Sequence, residues 1–114
     1  MAIVEKVLGK DHPHTATDYN NIGLVYDDQG DYPKALEYYE KALAIKEKVL
    51  GKDHPGTAYT YHNIGSMYYQ QGNYAEALKY LEKALKIRKA KLGEDHPDTI
   101  ATQEWIDDTH AAMG

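Results

Sequence analysis

The 114-residue chain has no cysteine and no phenylalanine, and only one serine, Ser66, and one tryptophan, Trp105. Without cysteine, disulfides, thiolate metal sites and cysteine nucleophiles are excluded. A serine-nucleophile enzyme would have to use Ser66. No apolar run approaches the ~18 residues of a membrane span, and the opening MAIVEKVLGK lacks the apolar core of a signal peptide. The expected compartment is therefore the cytoplasm. Bases are outnumbered, 13 Lys and Arg against 18 Asp and Glu, for a formal charge of −5. Naked nucleic acid and anionic membranes both need a basic face, so neither is an expected partner. At 42% hydrophobic content the chain is long enough for one compact domain and too short for two ordinary ones. Eleven tyrosines supply nearly all the aromatic content.

What is present is repetition. Leu8-Gly9-Lys10-Asp11-His12-Pro13 returns as Leu50-Gly51-Lys52-Asp53-His54-Pro55 and again as Leu92-Gly93-Glu94-Asp95-His96-Pro97, each time after 42 residues. Residues 5–46 laid over 47–88 give 27 identities in 42 positions. The third copy covers 89–114, about half a unit, and Ala2–Leu8 matches Ala44–Leu50. The organisation reads as a single array: 1–8 is the tail of a preceding second helix, 9–50 repeat one, 51–92 repeat two and 93–114 a half repeat. It reads as a window on a longer array or as a short array with atypical ends.

Within a unit the period is helical. Tyr19, Ile22, Gly23 and Tyr26 lie at i, i+3, i+4 and i+7. Ala35, Leu36, Tyr39, Ala42, Leu43, Ile45, Val49 and Leu50 form a second, longer stripe. Gly30 can end the first helix in the left-handed conformation, Asp31 can cap the next, and Pro33 is tolerated in its first turn. Helices are predicted at 14–29, 33–50, 56–71, 75–92 and 98–112, with a stub at 2–8. Gly23 and Gly65 sit mid-helix, where glycine costs ~1 kcal/mol relative to alanine. Close approach of the partner helix explains them, with Ala35 and Ala77 as the expected small residues opposite. Each pair has too little apolar surface to stand alone, so pairs must stack.

The spacing Tyr19-x2-Ile22-Gly23-x2-Tyr26, then Gly30-x-Tyr32-x2-Ala35-x3-Tyr39-x2-Ala42, resembles the tetratricopeptide repeat signature. Tyr61, Ile64, Gly65, Tyr68, Gly72, Tyr74, Ala77, Leu81 and Ala84 repeat it. The 42-residue length, eight more than the common form, adds about one turn of ~3.6 residues to each helix. Together with the LGxDHPxTA turn it is similar to the units of kinesin light chains. The resemblance implies an all-α, right-handed α-solenoid of about two and a half repeats. The third copy departs from the pattern: Gln103, Asp107 and His110 replace the expected Tyr, Gly and Tyr. It reads as an end helix covering the preceding pair.

In this family the first helices line a groove that holds an extended peptide. The resemblance places Thr17, Asn20, Asn21, Leu24, Asp27 and Asp28 there in repeat one. In repeat two it places Tyr59, His62, Asn63, Ser66, Tyr69 and Gln70, and on the last helix Ala101, Glu104, Trp105 and Asp108. Their spacing independently sets them opposite the core stripe. Asn21 and Asn63 match the groove asparagines that hold a ligand backbone in relatives; the alternative is that they solvate an unused face or bond a neighbouring helix. No Lys or Arg occurs from Asp11 to Pro33, from Asp53 to Ala77 or from Gly93 onward. The groove is thus expected to be neutral to acidic, which removes the charge-assisted donors a carboxylate ligand needs. The expected ligand is an extended peptide or partner helix, neutral or basic, with an apolar anchor against Tyr59, Tyr69 or Trp105.

Other constellations carry less. His12, His54 and His96 recur with the turn and read as turn residues before proline. Stacked helices lie ~8–10 Å apart, too far for successive turns to share a zinc ion. Asp27-Asp28 and Asp107-Asp108 have no matched partner, and Ser66 has no base beyond His62 at i−4. No enzyme activity, cofactor or metal is expected. The alternative to a binding module is a structural spacer or self-assembling segment. Residues 51–92 carry +4 and residues 93–114 carry −6, and complementary ends of this kind favour head-to-tail packing or helix swapping.

Overall fold

In the computed structural model residues 13–114 are described, with side chains from Thr15 onward. The expected stub at 2–8 and the side chains of His12-Pro13-His14 lie outside the described residues. Five helices follow: α1 Pro13–Asp28, α2 Tyr32–Val49, α3 Pro55–Gln71, α4 Tyr74–Leu92 and α5 Pro97–Met113. Each lies within one residue of its expected bounds, because turn chemistry marks the ends. Among the described residues there is no strand, and no helix is long and apolar enough to cross a membrane. The chain divides into two compact units, one ending at Lys52 and the other spanning Asp53–Gly114. The first holds the α1–α2 pair. The second holds the α3–α4 pair, with α5 packed on α4 and touching α3.

The caps differ by helix type. Asp31 and Asn73 open α2 and α4, their side chains accepting from the Lys34 and Glu76 amides at 3.4 Å. Such caps satisfy amides that have no partner within the helix. His54 and His96 do this work for α3 and α5, where imidazole Nδ1 accepts from the amides of Gly56 at 2.9 Å and Asp98 at 3.0 Å. At both of its described positions, 54 and 96, the turn histidine is therefore a helix cap. α1 and α3 stop at Gly30 and Gly72, with φ of 82° and 90°. The next amides, Asp31 and Asn73, then bond back to the carbonyls of Tyr26 and Tyr68, each at 2.9 Å.

Close approach does explain the mid-helix glycines, but the opposing residue is large. A Cβ on Gly23 would lie 2.7 Å from the Tyr39 ring and 3.2 Å from the Ala35 carbonyl oxygen. On Gly65 it would lie 2.6 Å from Leu81 Cγ. Tyr39 and Leu81, fully buried and equivalent by repeat, thus fill the glycine notches. Ala35 and Ala77 are buried as well, but Ala35 meets Gly23 through its backbone carbonyl, and the atoms nearest Gly65 all belong to Leu81.

The tyrosines form a repeated ladder. In the first unit Tyr38 stacks on Tyr26 with centroids 5.7 Å apart and tilts against Tyr19 at 6.1 Å. In the second, Tyr80 stacks on Tyr68 at 5.8 Å and tilts against Tyr61 at 6.3 Å. Lys41 sits over Tyr38 and Tyr19, and Lys83 over Tyr80 and Tyr61, with Nζ 5.0–5.5 Å from the ring centres. Tyrosine suits a core edge better than phenylalanine, since its ring packs while its hydroxyl finds a polar partner or water.

Candidate protein-interaction site

The first helices carry the expected binding positions, and burial sorts these into two classes. Thr17, Asn21 and Asp28 are exposed on α1 and Leu24 is half-buried, one stripe at i, i+4, i+7 and i+11. On α3 the same register holds Tyr59, 42% exposed, then Asn63, Ser66 and Gln70. On α5 it holds Ala101, Trp105 and Asp108. Asn21 is accessible, but Asn63 is buried, so the two asparagines are not equivalent in access.

Three expected groove residues prove to be interior. Asn20 and Asp27 are buried, as is Asn63. Asp27 turns towards α2, where Tyr39 Oη donates to its Oδ2 at 3.1 Å. Its other oxygen has no hydrogen-bond partner among the described residues. Burial raises the Asp27 pKa, the Tyr39 bond works against that shift, and Asp28 adds repulsion. The seven-residue step from Asn20 to Asp27 keeps both on one helix face, one turn-phase away from the exposed stripe.

His62 is a fourth correction. It is half-buried, and its Nδ1 lies 3.0 Å from Thr102 Oγ1 on α5 and 3.5 Å from Arg88 Nη1 on α4. Arg88 itself is 5% exposed. It donates to Thr102 Oγ1 at 2.7 Å and to the Asp98 carbonyl at 3.0 Å. Burial and then the neighbouring guanidinium push the His62 pKa down to about 4, against a smaller opposing effect of Asp98. The register of His62 faces the next first helix; at the same register Glu104 is exposed.

Trp105 joins the two first helices of this unit. Its ring meets Tyr69 edge-on at 5.3 Å and 88°, and His62 at 6.1 Å and 87°. Tyr69 continues the cluster to Tyr74 at 5.5 Å. Beneath it lie Ala77, Leu81 and Ile106. The result is a partly exposed aromatic floor bordered by the acidic side chains of Glu104 and Asp108, both exposed.

Sequence reasoning missed Arg88 and Lys46, which were counted with the bases away from the first helices. Both are buried, and burial lowers both pKa values. The signal was present: each follows an alanine of the core stripe by four residues (Ala84 to Arg88, Ala42 to Lys46), an inward-facing step. Ser66 and His62 form no nucleophile pair. Ser66 Oγ donates to the Asn63 carbonyl at 3.0 Å, while the imidazole faces Thr102 and Arg88. Asp107 accepts from Gln103 at 3.0 Å. Among the described residues no group of three or more metal-ligating side chains occurs.

A family model described as tetratricopeptide repeat matches residues 1–48, 28–90 and 56–104. No curated protein matches the chain. The crystal structure of BtubC (BKLC) from P. vanneervenii aligns with a TM-score of 0.90 at 25% identity, over 99% of this chain and 45% of that one. A Podosopora anserina protein, titled a putative kinesin light chain with nearly identical TPR-like repeats, aligns in two crystal structures. A point-substituted form gives a TM-score of 0.78 over 53% of that chain, and the other form 0.76 over 54%. Both are 28% identical and cover 99% of this chain. The chain therefore spans about half the length of each solved relative.

Proposed function

The chain belongs to the tetratricopeptide repeat family, and on that premise we propose that it is a protein–protein interaction module whose first helices present a neutral-to-acidic groove to an extended peptide or partner helix. Repeats of this family mediate protein interaction and scaffolding, and the all-α fold is of the α-solenoid class seen in the solved relatives. The observation that carries the reading is the aromatic floor of Tyr69 and Trp105 beside the exposed Glu104 and Asp108, with Tyr59 exposed nearer the start of α3. No lysine or arginine lies on α1, α3 or α5. Arg88 reaches this region but is buried and spends its donors on Thr102 and Asp98. The ligand is accordingly neutral or basic, with one apolar or cationic side chain seated on the aromatic floor.

Catalysis is not part of this reading, since Ser66 and His62 are committed to other partners. The test uses Trp105, the only tryptophan, as its own reporter. Peptide arrays select binders, and Trp105 fluorescence titrations then rank neutral, basic, acidic and free-carboxylate peptides. Neutral or basic peptides are expected to bind best, and the accessible-site changes Asn21→Ala and Tyr59→Ala to weaken capture at unchanged melting temperature. Tightest binding of acidic peptides would overturn the reading. Self-association through the repeat ends is a second reading, favoured by the exposed Ile100.

A further inference from the structure

The chain's own lysines cover one set of its aromatic rings and leave another uncovered. In the tyrosine ladders Lys41 follows Tyr38 by three residues and Lys83 follows Tyr80 by three, and each Nζ sits over the ring it follows, at 5.0 Å and 5.3 Å. Lys34 and Lys79 lie over Tyr26 and Tyr80 at 5.5 Å and 5.8 Å. Residues three apart are neighbours on a helix surface, so a lysine there sets its ammonium on the negative face of the ring. Trp105 has the same spacing with the opposite charge: three residues on stands Asp108, exposed. No lysine or arginine lies within four residues of Tyr69, Tyr74 or Trp105. Among the described residues none sits over these three rings, whereas Tyr19, Tyr38, Tyr61 and Tyr80 each carry one.

The uncovered rings are arranged to take a cation from outside. Trp105 and Tyr69 stand at 88° with centroids 5.3 Å apart, and Tyr74 meets Tyr69 at 59° and 5.5 Å. Rings inclined to one another offer π-faces in more than one direction, as cages for quaternary ammonium groups do. All three are partly buried, so a cation seated there sheds part of its water and is held more strongly than at an open surface. Around them α3 carries no Lys, Arg, Asp or Glu, and α5 carries Asp98, Glu104, Asp107 and Asp108 with no lysine or arginine. Arg88 approaches the cluster through His62 but is turned to Thr102 and the Asp98 carbonyl.

An apolar side chain gains from the rings alone, whereas a cation gains from the rings and the acids together. We propose that Tyr69, Tyr74 and Trp105 form a cation-binding subsite that takes a lysine or arginine side chain of a basic peptide partner, with Asp108 as its counter-charge. This rests on the reading of the first helices as a peptide-binding face and narrows its ligand from neutral or basic to basic.

The experiment follows the Trp105 indole N–H by NMR, a single resonance because the chain has one tryptophan. The 114-residue chain is titrated with acetyl-Gly-Lys-Gly-amide, its arginine counterpart and its norleucine counterpart, which keeps the apolar stem and lacks the charge. The lysine and arginine peptides are expected to shift the resonance saturably, and the norleucine peptide to bind at least about threefold more weakly. Tyr69→Leu, which keeps apolar bulk without a π-face, is expected to weaken the lysine peptide about two- to fivefold and leave the norleucine peptide unchanged. Asp108→Asn is expected to weaken the lysine peptide at low salt, with the difference gone at about 1 M salt, where charges are screened beyond ~3 Å. Melting temperatures serve as folding controls; Asp108 is exposed, so its variant keeps the helices. Equal binding of the norleucine and lysine peptides, or a lysine peptide indifferent to Asp108→Asn at low salt, would overturn the cationic subsite and leave the groove standing. A resonance that none of the three peptides shifts overturns the subsite too, and the longer array peptides then separate the two ideas: capture keeps the groove, and its absence rejects both.

Discussion

Acidification offers a direct test of the His62 site. In the unfolded chain His62 titrates near its ordinary 6.5, and in the folded protein near 4. Between those values the unfolded state holds one proton more, so stability rises with pH across the window. The contribution is fully present above pH 6.5 and is lost as pH falls through about 4. At ~1.4 kcal/mol per pKa unit the gap corresponds to about 3 kcal/mol. Physically, a protonated His62 would set a second cation 3.5 Å from the Arg88 guanidinium inside a half-buried site, and Asp98 offsets only part of that repulsion. The comparison is the parent chain against His62→Asn, which installs the residue found at the equivalent position, Asn20. Urea unfolding at pH 7 and pH 4.5 should show the parent losing about 2–3 kcal/mol more than the variant. An NMR titration should place the His62 imidazole near pH 4. A parent–variant difference independent of pH, or a His62 resonance titrating near 6.5, would refute the burial argument.

Other consequences can be measured by thermal or chemical unfolding. Gly65→Ala gains helix propensity but drives its methyl into Leu81, so a net loss of about 1–3 kcal/mol is expected; combining it with Leu81→Ala should give less than the sum of the two costs. His54→Ala should cost about 1 kcal/mol through the lost cap, with most of it regained in His54→Asn. Tyr39→Phe leaves the buried Asp27 carboxylate without its donor, for an expected loss of about 1–3 kcal/mol. Equal stability of Tyr39→Phe and parent would remove that bond from the account.

Much of the architecture was legible because repeats print their own punctuation. Asp31 and Asn73 as caps, Gly30 and Gly72 as stops, and the 42-residue offset mark local backbone events, and local events leave local signals. The turn histidine was legible as a turn residue but not as a cap, since only the placed imidazole reveals which nitrogen faces the Gly56 and Asp98 amides. Of the positions expected to line a groove, Thr17, Asn21, Asp28, Tyr59, Gln70, Glu104 and Asp108 are exposed. Asn20, Asp27, Asn63 and His62 are not, because helical phase says which residues share a face and not what covers that face.

By itself the sequence determined the helices, their order, their ends and the repeat that makes neighbouring pairs equivalent. It also determined that the first helices carry no lysine or arginine. Only the tertiary structure decided that Tyr39 and Leu81 fill the glycine notches, that Arg88 crosses from α4 to Thr102, and that Trp105 binds α5 to Tyr69. The scarcity of cysteine, serine and phenylalanine reads differently in that light: tyrosine builds the ladder edge where an apolar ring must also reach a polar partner. The division has one physical cause. Caps, turns and periodicity depend on residues a few positions apart, whereas burial and pKa depend on side chains that the fold alone brings together across 14 to 40 positions.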